Sequence, residues 1–391
     1  MTPHTERPAL MPDPDFLLAV EPVGTGAHPA SWRRADSRAE DLFTAGYWVD
    51  VLVAAERAGL DAVFLPDSFA LQPGGVATEK GRLDAVALAA RAAAATHRIG
   101  LLPQAAVTHT EPFHLSKAVA SLDFATLGRA GWEVTVSEGL EQAKAFGRKG
   151  VQSDAELWHE ADEAIEVVGR LWDSWEDDAE IRDVATGRFI DRDKLHYIEF
   201  AGDNFAVKGP SITPRSPQGQ PIVAIRADEG ASIPVAVRRA DLIRIAPPDL
   251  DAAHARRTAL RGALHGADRD PDAVRVLLDL DIHLAETEDL AHTELAQLDA
   301  WAPHSAPVRL RHIGTRDSLR ALLDSVRASG AADGVVLRPL AVPAALRQLG
   351  EAPLSHAGET DLAPGPRTLR DRLGLPRPVS RYATLQEGVS S

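Results

Sequence analysis

Short apolar runs alternate with longer segments of helical period along most of the chain. Residues 16–20 (FLLAV), 61–65 (DAVFL), 99–107, 132–136, 221–225, 241–246, 274–284 and 333–337 (DGVVL) are compact apolar or alternating runs of the kind buried parallel strands show. Between them, 44–58, 83–96, 112–127, 154–172, 249–264, 289–301 and 317–328 predict helices, the first of them stopping at Gly59. Eight strands with helical crossovers is the count of a closed parallel barrel, so the predicted class is α/β, a TIM (β/α)8 barrel. The stretch 121–137 (SLDFATLGRAGWEVTVS) holds one repeat in miniature: a helix end, a polar corner at Gly128-Arg129-Ala130-Gly131, and a strand. Barrel chemistry sits where strands end, which singles out Ser137, Glu138 and their counterparts on other strands.

The beat is interrupted in three places. The loop 21–41 (EPVGTGAHPASWRRADSRAED) is long for a connection without secondary structure, which marks it as functional. Residues 174–220 are acidic, then mixed, then Pro-rich (KGPSITPRSPQGQP), with a hairpin expected at 197–207. Too short for a core of its own, this segment reads as an insertion after the fourth helix. From 351 the tail, with TLRDRLGLPRPVSRYA, reads as an ordered strap over the barrel's exterior. The whole chain, 1–391, is then one barrel domain.

Composition narrows the function. Lys plus Arg is 42 against 57 for Asp plus Glu, a formal charge of −15 that argues against nucleic acid and anionic membranes as partners. Cysteine is absent, which removes disulfides, thiolate metal sites and thiol nucleophiles. There is no apolar run of membrane-spanning length, and the N-terminal MTPHTERPALMPDPD lacks the apolar centre of a signal peptide. A soluble, cytoplasmic protein is expected. His109 and His114 have no carboxylate to complete a ligand set, so no metal is expected. A Ser-His-Asp hydrolase would need a G-x-S-x-G elbow, which is missing. Glu21 and Asp67, at two strand ends, offer only the acid pair that many barrels offer a glycosidase.

Seven segments carry a resemblance: HPASWR (28–33), LDAVFLPDS (60–68), TEPFHLSKAVASLDFATLGRAGW (110–132), ADEAIEVVGRLWDSWEDDA (161–179), KLHYIEFAGDNFAVKGPSITPRSPQGQP (194–221), GAADGVVLRP (330–339) and TLRDRLGLPRPVSRYA (368–383). In this order and spacing the chain resembles the luciferase-like flavin monooxygenases, in the branch of the nitrilotriacetate, dibenzothiophene-sulfone and long-chain-alkane monooxygenases. The resemblance runs nearly end to end. It implies a barrel that takes reduced FMN from a separate flavin reductase and reacts it with O2. The resulting C4a-(hydro)peroxide then oxygenates a small organic substrate. The family's habit also implies a homo-oligomer.

Set against that family, the flavin-facing positions differ. Where the family reads GWNVVTS, Glu133 stands for the asparagine and Val136 for the threonine beside the flavin. Alternation puts Glu133, Thr135 and Ser137 on one face. An inward Glu133 needs a proton or a partner: it is an acid or base of raised pKa, or a carboxylate paired with Arg or Lys. In the phosphate loop, QAGxSxxGR in the family, Ala227 replaces the glycine and Glu229 the serine. One carboxylate 4 Å from a phosphate charge costs about 4 kcal/mol at an effective dielectric of 20. An inward Arg226, or Ser232 as a hydrogen-bond donor, would offset it. Trp158 stands for a tyrosine near the phosphate end, stacking or filling space, and Leu157 for the arginine before it. The cofactor-binding candidates are therefore Pro66, Asp67, Thr108, Ser137, Trp158, Arg226, Ala227 and Ser232.

The catalytic candidates are His28, His109 and Glu133. His28 lies four residues before Trp32 in the long first loop, in contact with substrate or peroxide or else solvated. His109 replaces a tyrosine, as a proton carrier or as a loop histidine bonded to a carbonyl. Two classes follow: a reduced-flavin-dependent monooxygenase with a remodelled phosphate loop, or a barrel of the same descent that has lost FMN and serves as a binding or scaffold protein.

Overall fold

The computed structural model describes residues 16–75, 77–228, 230–302, 309–351, 354 and 367–383. Eight parallel strands close a barrel: β1 (Leu17–Val20), β2 (Ala62–Leu65), β3 (Gly100–Ala106), β4 (Gly131–Thr135), β5 (Ile222–Arg226), β6 (Leu242–Ile245), β7 (Arg275–Leu284) and β8 (Gly334–Pro339). Pairing of β8 with β1 and of β6 with β7 leaves no open edge. The helices are α1 (Ala45–Arg57), α2 (Ala85–Ala93), α3 (Pro112–Ala125), α4 (Leu140–Phe146), α5 (Asp154–Asp173), α6 (Ser232–Arg239), α7 (Leu250–Gly266), α8 (Glu288–Trp301), α9 (Arg316–Ala328) and α10 (Val342–Leu349). No helix among the described residues is long and apolar enough to cross a membrane.

Alternation along each strand serves two cores. Outward side chains such as Val20, Val63, Val134 and Ile225 pack under the helices. Inward ones such as Leu17, Phe64, Leu102, Ile222, Leu277 and Val336 fill the lower barrel. The tail is a strap only in part: Leu369, Leu373 and Leu375 join that inner core and plug its amino-terminal end, while Arg377 and Arg381 run on to pair with Asp177 and with Glu166 of α5. Residues 352–353, 355–366 and 384–391 of the strap lie outside the described residues.

Several resemblance segments hold this lower pole together. Arg129 donates to Ala93 O (3.2 Å), Thr96 O (2.9 Å) and Ile99 O (2.8 Å), satisfying carbonyls at and beyond the end of α2. Gln218 donates to Asp123 Oδ1 (2.6 Å) and Ala130 O (2.7 Å), and its Oε1 accepts from Arg370 N (3.1 Å). Helix, corner, insertion and tail are thereby tied at one point.

The expected hairpin is found as Phe200–Ala201 against Ala206–Val207, and a second pairs Glu180–Asp183 with Arg188–Ile190. A further strand, Arg311–Gly314, was not expected. It pairs with the upper half of β7, Asp281 opposite Arg311, above the stretch where β7 pairs with β6.

Candidate active site at the carboxyl end of the barrel

Above Phe64 the inner face of the barrel turns from apolar to charged. Strand alternation brings Glu21, Gln104, Glu133, Arg226, Arg244, Asp279 and Arg338 to adjacent levels. The Arg244 guanidinium lies over the Phe64 ring, 4.5 Å from its centroid. Its Nη1 reaches Glu133 Oε1 (2.9 Å) and Glu21 Oε2 (2.6 Å), and its Nε donates to Asp279 Oδ1 (2.9 Å). Arg226 points inward to Glu21 (3.0 Å) and Asp279 (3.2 Å), and Arg338 bridges Glu21 (2.8 Å) and Asp281 (2.7 Å). Glu21, Glu133, Arg244 and Asp279 are all buried.

Glu133 thus has the Arg partner, and Gln104 Nε2 adds a hydrogen bond of 2.8 Å. Burial still pushes its carboxyl above the ordinary value, against the pull of Arg244 and Arg226 and with the nearby Glu21 charge. Burial also acts on Glu21, but Arg244, Arg226 and Arg338 together hold it well below the usual range. The two carboxyls share one guanidinium and are pushed in opposite directions.

Beside this layer, the ends of β3 and β4 carry a small aromatic wall. His109 stacks on Phe146 of α4 at 4.5 Å and 14°, and Phe69 meets Phe146 edge-on at 4.7 Å. Thr108 Oγ1 accepts from Ser137 N (2.9 Å), locking the two strand ends together. Lys149 donates to Thr108 O (2.9 Å) and pairs with the buried Glu160. Both ring nitrogens of His109 and the Ser137 hydroxyl are covered, yet none has a hydrogen-bond partner among the described residues. Buried polar atoms without a protein partner are uncommon, so these three are atoms that a bound ligand could engage. Burial and the Lys149 charge hold His109 below its ordinary value, so it is neutral at pH 7.

The loop after β5 is arranged differently from an anion cradle. Ala227 faces outward, fully buried in the core under the helices, and its N–H is taken by Arg244 O (2.9 Å). Ala231 N donates to the Asp154 carboxylate at 2.9 Å, and a Cβ on Gly230 would come 2.7 Å from the same oxygen. Ser232, buried, opens α6 beside this contact. Leu157 and Trp158 are buried, and Trp158 fills space in the core. Glu229 lies outside the described residues. A phosphate at 226–232 would therefore meet a resident carboxylate and apolar side chains, with Arg226 committed to barrel acids. The residues present do not fit a phosphate there.

Other sequence candidates have local duties. His28 is buried rather than solvated: its Nδ1 accepts from Ala30 N (3.1 Å), leaving Nε2 to donate to Asp299 Oδ1 (3.1 Å) on α8. Asp67 accepts from Ser68 N (2.7 Å) and Ala85 N (2.9 Å), which fixes the turn after Pro66 and the start of α2. Glu21 and Asp67 form no acid pair, since Glu21 is held by arginines and Asp67 by backbone. Sequence reading missed Arg244, Asp279, Asp281, Arg338, Phe146 and Lys149. The period-2 charges in LIRI, LLDLDIHL and VVLRP were the available signal.

The profile of the family described as luciferase-like monooxygenase matches residues 23–369, and the chain belongs to that family. N-acetyl-S-(2-succino)cysteine monooxygenase of Bacillus subtilis (strain 168) is 34% identical over 282 residues, covering 72% of this chain and 64% of that protein. Nitrilotriacetate monooxygenase component A of Aminobacter aminovorans is 32% identical over 300 residues, covering 74% and 65%. The matched part thus spans just under two thirds of these relatives' length. Among solved structures, a long-chain alkane monooxygenase superposes with a TM-score of 0.83 at 20% identity, covering 92% of this chain and 95% of the other. EDTA monooxygenase from Chelativorans sp. BNC1 gives 0.81 at 21% identity, covering 93% and 99%. These two likenesses establish the shared barrel.

Proposed function

We propose that the protein is a reduced-flavin-dependent monooxygenase. It takes reduced flavin from a separate reductase and uses O2 to oxygenate a small organic substrate at the carboxyl end of the barrel. The observation that carries this reading is the wall of His109, Phe146 and Phe69 beside Ser137, with three covered polar atoms lacking partners, in a chain of this family. The wall suits the flat, polar ring system of a flavin. The residues at 226–232 do not suit its phosphate, so the ring end carries the recognition. His109, neutral at pH 7, is the group placed to hold or move a proton there, and the charged layer beneath gives the pocket a rigid floor.

The carboxylate at Ala231 favours a second reading, a barrel that has lost flavin and binds another partner. Anaerobic titration with reduced FMN separates the two. Micromolar binding supports the enzyme, and millimolar or absent binding leaves the binding protein.

A further inference from the structure

Arg309 and Arg311 lie two residues apart on the segment that pairs with the upper half of β7, so both project over the barrel mouth beside Asp281. Asp281 is the acid they share with Arg338, and Arg338 takes it: Nη1 of Arg338 sits 2.7 Å from Asp281 Oδ1. Arg309 Nη1 stays at 4.0 Å from that oxygen and Arg311 Nη2 at 3.9 Å from Oδ2, both beyond hydrogen-bond reach. Nε and Nη1 of Arg309 are covered and have no hydrogen-bond partner among the described residues. A guanidinium withdrawn from water with two donors unused is uncommon, because each unmet donor forfeits its hydration.

The charge balance points the same way. Arg226, Arg244, Arg309, Arg311 and Arg338 face Glu21, Glu133, Asp279 and Asp281, so five positive groups meet four negative ones at the mouth of a chain whose formal charge is −15. Burial weighs most on Arg309, with Arg338 and Arg226 acting on it as like charges and Asp281 and Asp279 as opposite ones. The side chains of Arg309 and Arg338 are 13% and 14% exposed and those of Arg226 and Arg311 33% and 27%, so the cluster keeps contact with solvent at the mouth.

We propose that Arg309, supported by Arg311, forms an oxyanion seat that takes a carboxylate of an anionic substrate. A carboxylate can take the side-on fork of Nε and Nη2 on Arg309, and so supplies the acceptor that the covered Nε lacks. The inference deepens the monooxygenase reading and rests on it for the word substrate.

Isothermal titration of the full chain with succinate, its neutral analogue succinamide, and inorganic phosphate tests the seat. Succinate is expected to bind in the millimolar range or tighter and succinamide not to bind. Arg309→Gln should weaken succinate at least tenfold, and Arg309→Lys by less, because the charge stays while the fork is lost. Since Nε and Nη1 of Arg309 make no hydrogen bond among the described residues, Arg309→Gln should keep or raise the melting temperature, whereas a structural arginine would lower it. Phosphate binding that depends on Arg309, with no succinate binding, would reassign the seat to a phosphate and overturn the proposal. Succinate binding unchanged in Arg309→Gln and Arg311→Gln, or absent from the wild type, would also overturn it. No flavin enters these titrations, so their failure and that of the flavin reading are separate.

Discussion

The Asp154 carboxylate accepts a hydrogen bond of 2.9 Å from the backbone N–H of Ala231 at the start of α6. A helix start of this kind usually offers its free N–H groups to an external anion. Here the anion is the protein's own, supplied by the first turn of α5. Asp154→Asn keeps the shape and removes the charge. Facing a phosphate at about 4 Å, that charge opposes binding by about 4 kcal/mol at an effective dielectric of 20, and solvent screening reduces this to about 1–2 kcal/mol. The affinity for FMN relative to riboflavin should therefore rise about tenfold in the variant, read by parallel fluorescence titrations. An unchanged ratio would place the phosphate elsewhere.

The charged floor depends on Arg244. Arg244→Met would leave Glu21, Glu133 and Asp279 buried around a missing cation, and breaking such a set by removing one partner typically costs about 3–5 kcal/mol. Urea unfolding should show a loss of that size. Adding Glu133→Gln to Arg244→Met should restore part of it, about 1–2 kcal/mol, because the two residues are in contact and their effects do not add. Strict additivity would mean the pair is not coupled.

His109→Phe keeps a ring against Phe146 and removes the two ring nitrogens. Affinity for reduced flavin is expected to fall about fivefold, since a hydrogen bond is worth about 1 kcal/mol, while the turnover attributed to proton handling drops by about 10²-fold. Burial and Lys149 hold the imidazole below 6.5, so the wild-type rate should fall only as pH drops below that value. The variant should lack that limb. A retained limb would assign the titration to another group.

Acid should weaken the tie between the tail and the body. Burial pushes Glu166 upward, but hydrogen bonds from Arg381 and Arg170 and the charges of Arg381 and Arg239 bring it from 4.5 to about 2. A carboxyl with a depressed folded value stabilises fully above its unfolded value and loses that contribution as pH falls towards the folded one. The window here is 4.5 down to about 2. Glu166→Gln should accordingly be less stable than wild type at pH 6, and the gap should close by pH 2. Urea midpoints at a series of pH values check this, and a gap that widens on acidification would contradict the sign.

The barrel was legible because its signal is local: eight apolar runs and the helices between them recur at nearly the spans read from period alone. The inward face of β4 was legible for the same reason, and with it the Arg partner of Glu133. Arg244 escaped notice because one charge in LIRI looks like noise until the barrel closes and brings it within hydrogen-bond distance of acids on three other strands. The tail was read only in part, because Leu369, Leu373 and Leu375 are the same apolar trio whether they cover a surface or plug a hole. Asp154 could not be found at all, since its partner lies 77 residues away and nothing in either segment names the other.

The central claim is that the mouth of this barrel recognises flavin through the ring and not through a phosphate seated at 226–232. Anaerobic titration of the wild-type protein with reduced FMN and reduced riboflavin tests it most directly. Dissociation constants within about threefold of each other, both micromolar, are the expected result, since a micromolar ligand is held by roughly 8 kcal/mol that the ring must then supply. FMN binding at least tenfold tighter than riboflavin, or neither binding, would contradict it.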